Sequence, residues 1–444
     1  MSQAQTFAHF DERGLTQIRG VHADYEALLE AIGDRQFVLI GEASHGTQEF
    51  YRERVRITRR LIEEKGFSAV AIEADWPDAY RVNRYVRGES SDVSAVAALS
   101  DFQRFPSWMW RNLEVVHFIE WLKLHNEAYE DPISRVGFYG LDLYSLRASI
   151  DAVIAYLEVE DPAAAHVARR RYSCFDLFQS EGQHYGHAVS LNITAPCEDE
   201  VVAELIDLRN MKAELLASDG AVAQDSFFFA EQNARLVLNA ERYYREMYRG
   251  NVSSWNLRDT HMVETLQALA EHRSAAEAPA KVVVWAHNSH VGDARFTQMG
   301  RRGEFNIGQK MREYAPEETF NIGFTTHHGT VTAASEWGGP VERKRVRPAL
   351  PGSYERFFHD ARPKNFVMVV KEVRDEVIPT NLLERAIGVI YRPDTERTSH
   401  WFHADLKSQF DAIVHIDETS ALVPIDRTPL WDMGEPPETY PSGL

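Results

Sequence analysis

Five ionisable side chains stand just past the ends of three apolar runs. Glu42 and His45 follow the run in "VLIGEASHGTQEF" (38–50), Glu73 sits in "AIEADWPD" (71–78), and His287 and His290 sit in "WAHNSHVGD" (285–293). A lone glutamate at a strand end is more often a cap than a reagent. Two carboxylates and three imidazoles at three strand ends ask for more, because imidazole paired with carboxylate is apparatus for moving protons. If the three runs are neighbouring parallel strands, all five groups converge at the carboxyl edge of the sheet, where open α/β sheets bind their ligands.

The surrounding pattern supports that condition. "QFVLIG" (36–41), "SAVAIEA" (68–74), "SRVGFYGLD" (134–142), "KVVVWAH" (281–287), "TFNIGFTT" (319–326), "FVMVV" (366–370), "AIGVIY" (386–391) and "DAIVHI" (411–416) are mostly continuous apolar runs. Such strands are buried on both faces, which predicts an α/β fold with a mostly parallel central sheet flanked by helices. The first two runs, joined by an amphipathic stretch, read as a βαβ unit. "FNIGFTTHHGTVTAA" (320–334) reads instead as a hairpin with His327, His328 and Gly329 at its turn.

Between about 144 and 275 the texture becomes helical. Ala230, Ala234, Val237, Ala240, Tyr244 and Met247 recur at intervals of three and four, predicting a long helix that ends at Gly250, and 146–158, 198–217 and 256–270 look similar. The expected organisation is a first part of the core (1–143), a helical insertion forming one wall of a cleft (144–275), and a second part of the core (276–444) whose proline-rich end, from Pro424, runs over the surface as coil.

The helix after His45, capped by Thr47 and closed by Gly66, carries Phe50, Ile57 and Leu61 on one stripe, and Arg54 interrupts it. A guanidinium facing a core needs a carboxylate, and Glu42 and Glu73 are the nearest candidates; the competing reading lets Arg54 snorkel to the helix edge. In "FPSWMWRN" (105–112), Trp108 and Trp110 each read more readily as core beside a helix start capped by Ser107. With Arg111 they could also supply the aromatic wall of a site for a large apolar ligand.

Several chemistries are disfavoured. No G-x-S-x-G elbow, phosphate-binding loop, G-x-G-x-x-G or H-E-x-x-H is present. "HNSH" (287–290) and "HWFH" (400–403) could each lend two imidazoles to zinc, yet such pairs arise easily among 18 histidines. A formal charge of −19 argues against nucleic acid and anionic membranes as partners. The absence of an apolar leader and of a ~20-residue apolar run, with Cys174 and Cys197 too few for a disulfide framework, predicts a cytoplasmic protein acting on a small molecule.

Taken together, "IGEASHGTQEFYRER", "AIEADWPDAYRVNRYVRG", "FPSWMWRN", "GFYGLDLYS", "SWNLRDTHMVETL", "VWAHNSHVGDAR" and "GVIYRPDTERTSHWFHADLKSQFDAIVHIDET" resemble the erythromycin esterase family over about residues 15–425. The resemblance implies hydrolysis of a bulky ester or lactone by activated water, without a cofactor. It matches the family's general base to His45, its supporting carboxylates to Glu42 and Glu73, its arginine to Arg54, and its further histidines to His287 and His290. On that reading Glu42 or Glu73 fixes the His45 tautomer, and His287 or His290 donates to the oxyanion or leaving alkoxide. A metal-dependent hydrolase using the same Glu/His cluster, and a binding protein or enzyme of polysaccharide metabolism using the same cleft, are the alternatives.

Overall fold

Each apolar run divides its side chains between two cores, so both faces of its strand must be covered. In a computed structural model, which describes residues 14–178, 182–215, 220–274, 278–374 and 377–434, Phe37 and Leu39 pack into one core while Val38 and Ile40 pack into the other. The strands are β1 (Leu15–Gln17), β2 (Phe37–Ile40), β3 (Ala69–Asp75), β4 (Gly137–Asp142), β5 (Val282–Trp285), β6 (Thr319–Ala333), β7 (Glu342–Val346), β8 (Phe366–Val369), β9 (Leu382–Arg385), β10 (Trp401–Ala404) and β11 (Ala412–Thr419). The main sheet has the order β1-β8-β11-β6-β2-β5-β3-β4, with β7 added to β6, and β9 pairs with β10 separately. From β11 to β4 every pairing on this path is parallel, and the antiparallel strands β8, β1 and β7 extend it. This is the mostly parallel α/β fold expected from the continuous apolar runs.

Helices cover both faces. Phe50, Ile57 and Leu61 of Gln48–Lys65 enter the same core as Val38 and Ile40. On the other face lie Leu146–Glu160, Gly220–Glu246 and Asn251–Arg273, whose Ile150, Val237 and Leu266 join Phe37 and Leu39. The expected helix over 198–217 is Glu198–Leu215, and residues 216–217 lie outside the described residues.

Three local expectations are corrected. The segment 320–334 is no hairpin: β6 runs straight through His327 and His328, parallel to β2 at its start and to β11 further on. Gly329 serves close strand approach, since a Cβ there would lie 1.9 Å from the Thr419 carbonyl oxygen. "AIGVIY" is an irregular segment held by single bridges, Ser44 to Ile387 and Ala334 to Ile390, and the strand β9 precedes it. The stretch after Pro424 is not all coil. Pro429–Met433 is a short helix whose buried Trp431 donates to Thr332 Oγ1 at 2.7 Å, while Pro436, Pro437 and Pro441 lie outside the described residues. Cys174 and Cys197 are joined in a single disulfide across the helical region, their Cα atoms 6.1 Å apart. Among the described residues no helix is long and apolar enough to cross a membrane.

Candidate active site

Register brings the ionisable groups together. Ile40 and Ile72 both pair with Trp285, so the ends of β2, β5 and β3 stand level. Glu73 then lies one residue past that row, and Glu42 and His287 lie two past it. The turn "GEASHG" can fold this tightly because Gly46 packs against the backbone of β6, where a Cβ would lie 1.8 Å from the Thr332 carbonyl oxygen. Residues 386–391 lie against the same turn, His45 N donating to the Ile387 carbonyl at 3.3 Å and Ile387 N to that of Ala43 at 2.8 Å.

Glu42 links two of the expected residues. Its Oε1 lies 2.9 Å from His45 Nδ1, and its Oε2 accepts from Arg54 Nη2 at 3.0 Å. A carboxylate in an ion pair can only accept, so the His45 proton belongs on Nδ1 and the lone pair on Nε2. Arg54 does not snorkel. It is fully buried, its guanidinium 4.3 Å from the Tyr51 ring centroid and 5.1 Å from that of Trp285. Those aromatic faces offset part of the cost of burying the cation. Thr47 occupies the N-cap position of this helix, but its hydroxyl pairs with Ser44.

Glu73 serves the other side of the site. Its Oε2 accepts from the backbone N–H of His287 at 2.9 Å and its Oε1 from Arg258 Nη2 at 2.7 Å. Burial alone would raise its carboxyl, but His290 and Arg258 outweigh that and hold it well below the usual carboxylate range. The His287 ring stands beside that of His45, their centroids 4.8 Å apart. Ser289 N donates to His287 Nδ1 at 3.2 Å, which puts the ring hydrogen on Nε2. That Nε2 is buried without a partner; the Ala43 carbonyl lies nearby but outside hydrogen-bonding geometry. Burial, followed by the neighbouring His45, pushes the His287 pKa down to about 3, so its ring is neutral at ordinary pH.

His290 is a different kind of histidine. Its Nδ1 lies 3.0 Å from both Asp259 oxygens and its Nε2 3.3 Å from Glu73 Oε1. Burial favours the neutral ring, yet Asp259 and Glu73 outweigh it and raise the pKa to about 9. The ring lies between two carboxylates, with Arg258 Nη1 3.1 Å from its Nε2, and stacks on Trp255 at 4.5 Å. With both nitrogens engaged, it braces Glu73 rather than donating to a ligand. A group whose folded pKa is raised from ~6.5 stabilises the fold fully below that value and loses the contribution as pH climbs. The expected result is a stability advantage of wild type over His290→Gln that is constant in acid down to the carboxylate range and fades from about pH 6.5 up to about 9. Urea midpoints measured across that window check it; a pH-independent difference would rule out a cationic His290.

Arg258, Asp142 and Asp259 are absent from the residues that sequence reasoning singled out. Arg258 donates to Asp142 through Nε at 3.0 Å and Nη2 at 2.7 Å as well as to Glu73. A signal did exist. In the helix Asn251–Arg273, Asp259 is buried beside His261 and Met262, and the partly buried Arg258 precedes it, an anomaly like the one that drew attention to Arg54.

The three groups border a cavity of about 350 Å³ lined by His45, Glu73, Asp142, Tyr144, Arg258 and His287 at its polar end. Phe105, Trp110 and Trp337 give it an aromatic side, and Ala386, Gly388 and Val389 close another. A larger recess of about 840 Å³ shares Asp75, Asp78, Phe105, Tyr144 and Trp337 with it. Of the three expected substrate contacts, Trp110 lines the cavity. Trp108 does not: it is buried in the core. Arg111 also points elsewhere, to Asp426 at 2.8 Å and the Leu99 carbonyl at 3.1 Å. The helix that follows them is capped by Asn112, which accepts from Val115 N, rather than by Ser107.

Could the cluster hold a metal instead? Both oxygens of Glu42 and both of Glu73 are already committed to Arg54, His45, Arg258, His290 and a backbone N–H. The buried Arg54 and the partly buried Arg258 neutralise the carboxylates a cation would need, so the donor set fits a metal poorly.

Fold and site together define an α/β protein whose sheet edge carries a carboxylate-oriented imidazole facing a cavity. The erythromycin esterase family profile matches residues 62–419, and the chain belongs to that family. It is 21% identical to the erythromycin esterase type II of Escherichia coli over 418 residues, covering 89% of this chain and 93% of that protein. It is also 21% identical to the putative hydrolase YbfO of Bacillus subtilis (strain 168), covering 95% of this chain and 93% of that one. Among solved structures, a succinoglycan biosynthesis protein superposes with a TM-score of 0.76 at 19% identity, covering 95% of this chain and 99% of the other. A mutant erythromycin esterase in its open conformation gives 0.64 at 17%, covering 92% and 96%. Membership supports a hydrolase of the erythromycin esterase type.

Proposed function

We propose that this protein hydrolyses an ester or macrolactone bond by general-base-activated water, with His45 as the base. The observation that carries the reading is the buried line Arg54–Glu42–His45, which leaves His45 Nε2 as an acceptor on the cavity side. Water attacks the carbonyl carbon as its proton passes to His45 Nε2. With substrate bound, the His287 ring turns its otherwise buried Nε2–H onto the oxyanion, a donor worth ~10²–10³-fold in comparable sites. Collapse breaks the acyl–oxygen bond, and the His45 imidazolium returns the proton to the leaving alkoxide, giving acid and alcohol. Glu42 stabilises the transient imidazolium, and Arg54, bonded to its other oxygen, holds Glu42 in place.

The aromatic side of the cavity suits a bulky, largely apolar substrate. Macrolide hydrolysis, and with it antibiotic resistance, is the leading case, resting on family membership. The test is turnover of a panel of esters and lactones that includes a macrolide, with and without chelator. Hydrolysis that survives chelation supports the reading. Turnover lost in chelator and restored by zinc or manganese would replace it with the metal-dependent one, and inertness toward every ester and lactone would leave the cleft a binding site.

A further inference from the structure

We propose that His327, His359 and Asp417 form a second site, separate from the catalytic cleft, that binds a divalent transition-metal ion of the zinc class. The three side chains come from three different elements. His327 lies in β6 and Asp417 in β11, level with each other because Thr326 pairs with Ile416 and His328 with Glu418. His359 ends the helix Tyr354–His359, which packs on those two strands. One ligand atom from each residue lies within 4.8 Å of the other two. The His327 and His359 rings stack with centroids 3.7 Å apart, and His359 Nδ1 lies 2.6 Å from Asp417 Oδ1.

Two orphaned nitrogens supply an independent observation. His327 is 5% exposed, its Nδ1 lies 3.0 Å from His328 Nδ1, and its remaining nitrogen, Nε2, is buried without a hydrogen-bond partner. His415 is fully buried, with Nδ1 on Thr325 Oγ1 and an Nε2 that is likewise unpartnered, 3.6 Å from Asp417 Oδ1. Buried polar atoms in native folds almost always have partners, so two such nitrogens beside one carboxylate call for an occupant. An ion would take up the His327 nitrogen and leave His415 free to hold the carboxylate in place, as residues behind metal ligands commonly do.

The donors define the ion's chemistry. Two imidazoles and one carboxylate suit zinc and its first-row neighbours, whereas calcium and magnesium favour oxygen throughout. Three protein ligands leave a fourth position for water. The backbone around the site is well anchored. The His327 carbonyl accepts from Arg385 Nη2 at 2.8 Å and Ala349 N at 3.0 Å, and Asp417 N donates to Asn365 Oδ1 at 2.9 Å. Arg385 ends β9 and leads directly into Ala386, which lines the cleft, while His327, His359 and Asp417 themselves stay clear of its lining.

The competing occupant is Lys364, whose ammonium lies 3.8 Å from Asp417 Oδ2 and donates to the His359 carbonyl. It is a third exposed and can swing away.

The experiment is zinc titration by calorimetry of the full-length protein after chelator stripping, with cobalt absorption as a second probe. Wild type should take up one equivalent. His359→Gln and Asp417→Asn should each lower the affinity by ~10-fold or more, Lys364→Met should raise it, and His45→Asn should leave it unchanged. No stoichiometric uptake by wild type would overturn the site, as would undiminished affinity in folded His359→Gln or loss of uptake in folded His45→Asn. His359 lies at the half-exposed end of a helix, so its variant decides the matter even if Asp417→Asn fails to fold.

Discussion

Replacing His45 with asparagine is expected to lower kcat by ~10²–10⁴-fold, the usual contribution of a positioned general base. The change is chosen for what it keeps. His45 is 7% exposed and its Nδ1 donates to Glu42, so truncation to alanine would leave a buried carboxylate oxygen without its partner. Asparagine can still reach toward Glu42 with its amide hydrogens, but it cannot take a proton from water near neutral pH. Arg54 stays bound to the other Glu42 oxygen, so the charge remains paired and the fold should survive. The measurement is kcat on whichever ester the protein cleaves, with near-UV circular dichroism as the control. A folded variant keeping more than about a tenth of wild-type kcat would exclude His45 as the base.

The largest stability effect is expected at Arg258. Substituting methionine keeps much of the side-chain volume but removes the cation that faces Asp142 and Glu73, themselves 3% and 6% exposed. Removing one partner of a buried ion pair typically costs ~3–5 kcal/mol, mostly because the stranded charge remains buried. Here two carboxylates would be stranded, with His290 left to compensate Glu73 alone. Arg258→Met should therefore unfold at markedly lower urea, and adding Asp142→Asn should recover part of the loss, since the second change removes one stranded charge. A loss below ~1 kcal/mol, the size expected for a surface pair, would mean that water reaches the cluster and the brace is weaker than its geometry implies.

These two residues differ in how readable they were. Arg54 could be read because one helix presents it among Phe50, Ile57 and Leu61, and its partner Glu42 is only 12 positions away. Arg258 sits in an equally periodic helix, but its contact with Glu73 spans 185 residues and that with Asp142 spans 116. Nothing local ranks one distant carboxylate above another. The two histidines of "HNSH" show the same divide. They looked interchangeable as donors, yet His290 meets Asp259 from another helix and has its pKa raised, while His287 turns a ring of lowered pKa toward His45.

By itself the sequence determined what depends on short-range pattern: doubly covered strands from continuous apolar runs, helices from their three- and four-residue spacing, and the clustering of ionisable groups at strand ends. Tertiary structure decided the rest. It set β5 between β2 and β3 so that three strand ends stand level, and it carried β6 straight through His327 and His328, where the residues alone suggested a turn. It also chose Trp110 over Trp108 and Arg111 for the cavity wall. The physical reason is common to all three. Local periodicity governs which side of an element is buried, whereas strand order, register and the charge state of a buried imidazole depend on neighbours on other elements, tens to hundreds of residues distant, whose proximity exists only once the chain has folded.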